Sequence, residues 1–302
     1  MMTTDQQKPP VIVVIVNWER PEDTIECIQS VLNSQRASPQ VLVVDNGSSD
    51  DSVQRISSLY PDIEIIELEQ NLGFAGGYNS GIDRALKMRA EKIFLLNNDA
   101  VVEPETISAL MEAPWDVAVP KIVYYDQPGR IWAAGSRWRI FPPAVVMIGY
   151  QKIDGAEYKA SYSLEYATGC ALMIRREVLE RIQGFDSEFE NYMEDYDFTY
   201  RVRATGFTMG FVPEARVRHK VSQSLGETSP QRWRYLGRNT VLFYRKDERF
   251  SSWTLSVYLF WFLLRETIKG QIAYLPHFFK GVREGLQVIK RKETGQRGKS
   301  QL

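Results

Sequence analysis

The sequence predicts an α/β fold: a mostly parallel central sheet with helices on both faces, followed by a helical carboxy-terminal extension. Three observations carry this. Short apolar runs rich in Val and Ile alternate with helix-like stretches through the amino-terminal third. Polar residues suited to binding follow those runs directly, at Asn17, Asp45, Asn71 and Asp99. From Pro230 onward the strand and turn signals give way to a basic, helix-forming stretch.

Taken in order, residues 1–10 are polar, end in Pro9-Pro10 and read as a mobile leader. Val11 to Val16 is continuously apolar and β-branched, as a strand buried on both faces must be. Pro21 opens a helix with Glu22 and Asp23 in its first turn, running to about Ser34. Val41 to Asp45 is the second strand, and Ser49-Asp50 caps a helix through Leu59. Ile63 to Leu68 is the third strand, Gly73 to Met88 a loop leading into a helix, and Lys92 to Leu96 the fourth strand. Pro104 begins another helix, and Val117 to Ile122 reads as a strand. Residues 129–167 are rich in Trp, Tyr, Gly and Pro, with strand-like alternation. Ala171 to Ile174 is a short strand before a helix ending near Ile182. Glu194 to Ala204 is a helix closed by Gly206, and Thr208 to Val212 is a strand. Strand–helix alternation at this spacing means βαβ units, whose ligands sit at the carboxyl ends of the strands. Asn17, Asp45, Asn71 and Asp99 should therefore share one crevice.

At 302 residues, 44% of them hydrophobic, the chain has ample apolar material for one large domain and an appendage. Cys27 and Cys170 lie among apolar or small residues and read as buried free thiols, which excludes a disulfide scaffold or a cysteine-rich zinc site. The start carries no signal-peptide pattern, so a cytosolic location is expected. The net charge of −1 hides an asymmetry. From Arg216 to Leu302 there are 18 Lys plus Arg against 6 Asp plus Glu, which leaves the rest of the chain strongly acidic. Such a tail suits an anionic partner: a phospholipid surface, a lipid diphosphate or nucleic acid. A solvated basic helix face is the plainer reading. The apolar run Leu255 to Leu264 is too short to cross a bilayer, which takes about 20 residues. Its aromatic content and basic flank suit an interfacial segment, and a buried core helix suits it equally.

Four clusters carry chemistry. Asp45 ends a buried strand before Asn46-Gly47-Ser48, where a carboxylate can accept from a pyrimidine N3–H. Asn71-Leu72-Gly73-Phe74-Ala75-Gly76-Gly77 is glycine-rich but lacks the Lys of a phosphate loop; it can pass close to a nucleotide or simply pack tightly. Asn97-Asn98-Asp99 offers oxygen donors to a hard cation such as Mg²⁺ or Mn²⁺, which bridges diphosphate oxygens. Glu194-Asp195 supplies adjacent carboxylates, one able to act as general base while the other orients an acceptor hydroxyl, with Asp197 adding charge nearby. Acidic capping of the helix is the plainer alternative. His219, one of only two histidines, is a further candidate ligand for the cation.

The ordered set Ile15-Val16-Asn17-Trp18, Val43 to Ser48, Asn71 to Asn79, Asn97-Asn98-Asp99, Ala167-Thr168-Gly169-Cys170-Ala171, Gly184-Phe185-Asp186, Glu194 to Asp197 and His219-Lys220 resembles glycosyltransferase family 2, and within it the bacterial rhamnosyltransferase-like branch. The resemblance spans residues 11–246. It implies a GT-A catalytic domain over 11–223, a mainly helical basic region over 224–302, and an inverting mechanism. It makes Asp195 the general base, with Glu194 and Gly169 at the acceptor. Asn17, Asp45, Asn71, Gly76 and Asn98 would hold the nucleotide-sugar donor. Asp99 and His219 would hold Mg²⁺ or Mn²⁺, with Asn97 standing where many members have Asp. The implied donor is dTDP-L-rhamnose. The implied acceptor is a lipid-linked or other glycan in cell-surface polysaccharide assembly, reached by an enzyme peripheral to the inner face of the membrane. On this reading the tail's partner is an anionic membrane and not nucleic acid, while homo-oligomerisation stays open. Two rivals stand beside it. One is a nucleotidyltransferase acting on sugar phosphates, against which the missing basic phosphate loop speaks. The other is a non-catalytic nucleotide-sugar binding protein.

Overall fold

A computed structural model describes residues 11–221, 229–246 and 250–299. The expected leader and the expected domain boundary at 223–224 lie outside them. The described strands form a ten-stranded mixed sheet and a separate hairpin. Its amino-terminal half is wholly parallel: β1 (Val11–Asn17) lies between β2 (Gln40–Asp45) and β4 (Lys92–Asn97), and β3 (Glu64–Glu67) flanks β2. Alternate side chains of β1 enter different cores. Ile12 and Val14 face one side with Leu42, Val44, Ile93 and Leu95. Val11, Val13 and Ile15 face the other with Val41, Val43, Phe94 and Leu96. Burial on both faces is why these strands read as unbroken apolar runs.

α1 (Pro21–Leu32), α2 (Ser52–Leu59) and α3 (Gly73–Lys87) connect the parallel strands. α2 starts at Ser52, with Asp50 Oδ1 accepting from the Ser52 N–H, so the expected Ser49-Asp50 cap sits slightly too early.

Beyond β4 comes the short β5 (Ala100–Val102), then α4 (Thr106–Glu112) and β6 (Val117–Tyr124). The segment at 129–167 is β7 (Ile131–Ala133), β8 (Ser136–Arg139), β9 (Ala144–Met147) and β10 (Tyr162–Ser163), with β8 and β9 forming the hairpin. β11 (Ala171–Arg175) runs antiparallel between β4 and β6. Direction is invisible in an apolar run of five residues, since burial on both faces is the same either way. α5 (Arg176–Ile182) and α6 (Glu194–Ala204) follow. β12 (Met209–His219) is far longer than the strand expected at 208–212. It passes Pro213 through a register shift between Val212 and Arg216, where a residue lacking an N–H is tolerated.

α7 (Pro230–Lys246), α8 (Ser252–Ile268) and α9 (Leu275–Lys299) complete the chain. With α6 and the hairpin they enclose a third core of Tyr166, Phe189, Phe243, Tyr244, Phe262 and Phe278. Among the described residues no helix is long and apolar enough to cross a membrane.

Candidate active site

The carboxyl ends of β1, β2 and β4 open onto a cavity of about 1070 Å³, closed by the loop before α3, the start of α6 and the first turns of α7. Asn71, Asn97, Asn98, Asp99, Gly169, Glu194, Asp195 and His219 all line it. Asn17, Asp45 and Gly76 are not among the lining residues; they lie directly behind them. Asn17 Nδ2 donates to Asp45 Oδ1 at 2.8 Å. The Ser48 hydroxyl and N–H donate to the two oxygens of the same carboxylate at 2.6 and 2.9 Å. Thr24 Oγ1 donates to Asn17 Oδ1 at 2.6 Å and accepts from Asn98 Nδ2 at 3.1 Å. This chain of bonds ties β1, α1, β2 and the end of β4 together behind the cavity wall. Gly76 packs against Leu72.

The residue that faces the cavity in place of Asp45 is Asn46, which the sequence reading passed over. Its Oδ1 accepts from the Leu72 N–H at 2.9 Å, and its Nδ2 donates to the Gly73 carbonyl at 3.0 Å and to Asn71 Oδ1 at 3.2 Å. Asn71 Oδ1 in turn accepts from the Gly73 N–H at 2.8 Å. Gly73 has φ +71°, and a Cβ there would meet the Glu190 carbonyl at 2.9 Å, so this turn requires glycine.

Asp99 and His219 are brought together by register. β5 and β12 pair antiparallel with Ala100 opposite His219, so the side chain just before β5 meets the end of β12. Asp99 Oδ1 lies 3.1 Å from His219 Nε2, and both residues are 6% exposed. Burial opposes a charge on His219, but Cys170 and the Asp99 carboxylate outweigh it and raise its pKa to about 10. A ligating imidazole would have to give up that proton. Asn97 Oδ1 accepts from the Tyr78 hydroxyl at 3.1 Å, which engages the amide oxygen expected to reach a cation. Among the described residues no cluster of three or more His, Cys, Asp or Glu could hold a metal ion. Asp99 and His219 together fit a cation completed by ligand oxygens: one carboxylate and one imidazole, buried and within hydrogen-bond distance.

Glu194 and Asp195 are the first two residues of α6, where the helix dipole favours negative charge. Asp195 Oδ2 accepts from the Gly169 N–H at 3.0 Å and Oδ1 from the Tyr196 N–H at 2.8 Å. Burial raises the Asp195 pKa to about 6 against these bonds. Glu194 is pushed well above the usual carboxylate range, by burial first and by the charge of Asp195 next. Its Oε2 is buried without a partner among the described residues. The two neighbours are thus shifted unequally: both carboxyls are raised, and Asp195 is held back by the two N–H groups it accepts from. Asp197 is absorbed structurally by Arg201 at 2.8 Å and Lys246 at 3.5 Å.

Residues 12–183 match the family described as glycosyl transferase family 2. The chain belongs to glycosyl transferase family 2. Residues 151–222 also match a family described as the N-terminal domain of galactosyltransferase. Among relatives of the family, the low-salt glycan biosynthesis hexosyltransferase Agl10 of Haloferax volcanii is 26% identical over 288 residues, covering 91% of this chain and 90% of that one. The N-acetylglucosaminyl-diphospho-decaprenol L-rhamnosyltransferase of Mycobacterium tuberculosis is 24% identical, covering 84% and 86%. The mannosyltransferase PcManGT of Pyrobaculum calidifontis, solved with GDP-Man and Mn²⁺, superposes with a TM-score of 0.57 at 15% identity, covering 93% of this chain and 88% of that one. The fold is GT-A, and the protein is a glycosyltransferase.

Other residues at the site escaped the sequence reading. Trp132 sets its ring edge-on to His219 with centroids 4.6 Å apart. Arg232 lies over the Tyr192 ring at 5.7 Å. Asn239 of α7 is fully buried, and its Nδ2 donates to the carbonyls of Phe189, Asn191 and Tyr192 at 2.5, 2.7 and 2.9 Å. A buried Asn inside a helix pattern was the available signal for it, since such an amide needs partners.

Proposed function

We propose that the protein is an inverting, cation-assisted transferase that moves L-rhamnose from dTDP-L-rhamnose to a hydroxyl of a lipid-linked or glycan acceptor in cell-surface polysaccharide assembly. The observation that carries the reading is one cavity holding both halves of the chemistry, the Glu194–Asp195 pair and the Asp99–His219 pair. The relative named as an L-rhamnosyltransferase acting on a diphospho-decaprenol supports the sugar and the acceptor class. The Mn²⁺ in the mannosyltransferase structure supports the cation.

Asp195 takes the proton of the acceptor hydroxyl, and the oxygen attacks the anomeric carbon. The bond from that carbon to the diphosphate oxygen breaks, and the nucleoside diphosphate leaves. Glu194 hydrogen-bonds the acceptor and orients it. Asn71, Asn46 and Asn98 line the donor side, braced from behind by Asn17 and Asp45. Mg²⁺ or Mn²⁺ on Asp99 and His219 would supply Lewis-acid neutralisation of the diphosphate.

The same reading places the enzyme in the cytoplasm, peripheral to the inner face of the membrane. α8 buries Leu255, Tyr258 and Phe262 against the third core. Its other face leaves Trp253 76%, Phe260 70% and Ile268 77% exposed. A helix apolar on both sides, with Lys269, Arg283 and Lys290 following it, suits an anionic lipid interface.

A panel of nucleotide sugars, incubated with lipid-linked acceptor and either cation, tests the activity. Release of nucleoside diphosphate is expected. Pyrophosphate instead would indicate the nucleotidyltransferase, and neither product the binding protein. Full activity after chelation would remove the cation from the reading.

A further inference from the structure

We propose that a second cleft, between α7 and α9, binds the diphosphate group of the acceptor. The inference rests on the transferase reading above and adds a site to it. The cleft has a volume of about 560 Å³. Arg234 and Arg238, one turn apart on α7, line it together with His277 and Lys280 of α9. Glu190, Gln231 and Tyr235 line both this cleft and the candidate catalytic cavity, so the two adjoin. A single molecule can therefore present a hydroxyl to Asp195 while an anionic group attached to it lies among these cations.

The cations are held by a rigid frame. A Cβ at Gly281 would come within 1.9 Å of the Arg234 carbonyl, and one at Gly237 within 2.0 Å of the Phe278 carbonyl. The backbones of α7 and α9 touch there, which fixes the spacing between the two arginines and the α9 pair. Glu284 pairs with Arg234, while Arg238 Nη1 donates to the Glu188 carbonyl at 2.6 Å and to Asn239 Oδ1 at 3.0 Å. Arg234 Nε lies 2.6 Å from Glu284 and Arg238 Nη1 lies 3.9 Å from Glu190, whose other oxygen accepts from the Tyr235 hydroxyl at 2.8 Å. Guanidinium groups that pair with carboxylates offer the same fork to phosphate oxygens. A diphosphate fits better than a neutral glycan, because Arg234, Arg238 and Lys280 outnumber Glu190 and Glu284 in the lining. The donor's own diphosphate has a separate place beside Asp99 and His219.

The test uses the full chain with Mn²⁺ and a saturating nucleoside diphosphate, which fills the donor side. Geranyl diphosphate is then titrated in by calorimetry, with geraniol as the uncharged control. The parent should bind the diphosphate and not the alcohol. The double variant R234Q/K280Q should weaken that binding at least about tenfold, or about 1.4 kcal/mol. Glu284→Gln should tighten it, because it frees Arg234; a merely structural role for the pair gives no such gain. Equal binding of alcohol and diphosphate, indifference of all variants, or displacement of the probe by the nucleotide would each overturn the cleft assignment. Phosphatidylglycerol vesicles separate acceptor from headgroup: R234Q/K280Q should bind them as the parent does, and a parallel loss would reassign the cleft to the membrane. If no nucleoside diphosphate binds at the outset, the transferase reading itself falls. If it binds and the variants are indifferent, only the cleft assignment falls.

Discussion

Asp195 and Glu194 are neighbours in sequence yet sit in different electrostatic surroundings. Glu194 is buried and Asp195 half-buried, and Asp195 receives two backbone N–H groups while Glu194 Oε2 receives nothing among the described residues. As a general base Asp195 must be ionised, so kcat/KM should fall about tenfold per pH unit below its pKa of about 6. Asp195→Asn should abolish that limb and cut turnover by about 10²- to 10⁴-fold. The linkage to stability has the opposite direction. A carboxyl raised from 3.8 to about 6 contributes stability that is full below the lower value and lost as pH rises through the upper one. At pH 7 the ionised group therefore destabilises the fold, and Asp195→Asn should raise stability by about 1 to 3 kcal/mol. Kinetics against pH, with thermal melts on the same proteins, check both. A variant less stable than its parent, or active within a factor of about three, contradicts the assignment.

Between elements, the segment before α6 matters most. Glu190, Tyr192 and Met193 have φ of +54°, +67° and +70°, and none is glycine. Each such residue costs on the order of 1 to 3 kcal/mol, which the surroundings must offset. Asn239 does so from α7 by donating to three carbonyls of residues 189–192. Asn191 Oδ1 joins the same segment to the donor-side loop through the Phe74 N–H at 3.1 Å. Asn239→Ala should cost about 2 to 4 kcal/mol, since buried carbonyls lose their donor. It should also lower kcat well beyond the fraction unfolded, because the base loses its fixed approach. Denaturant melts and steady-state kinetics at a temperature where the variant is folded measure the two effects. Activity per folded molecule equal to the parent would make Asn239 a scaffold residue only.

For the molecule as a whole, the carboxy-terminal helices both complete the catalytic cavity and present an apolar outer face. Gln231, Arg232, Tyr235 and Leu236 of α7 line the cavity. Trp253 and Phe260 point away from the third core on α8. Replacing both with Ser should leave the melting temperature within about 2 °C, because exposed side chains contribute little to folding. The same change should remove the salt-resistant part of vesicle binding while the basic residues keep a salt-sensitive part, at about 1 kcal/mol each near the surface. Flotation with anionic vesicles at low and high salt reads this out. A destabilised variant with unchanged flotation would mean that α8 serves packing alone.

What the sequence by itself determined is the part written in local pattern. The buried parallel strands, α6 beginning at Glu194 and the Asp99 and His219 candidates follow from apolar periodicity and from polar residues at strand ends, and the ordered motifs resemble the family. The placement of Asn17 and Asp45 behind the wall, with Asn46 in front, was decided by tertiary structure. Facing depends on which side of a strand end the adjoining loops close, and no residue type encodes that. The antiparallel insertion of β11, the length of β12 and the grip of Asn239 on residues 189–192 likewise come from contacts between segments distant in the chain. So does the raised pKa of Glu194, because a carboxylate's affinity for its proton is set by how much water its neighbours exclude and by the charge beside it.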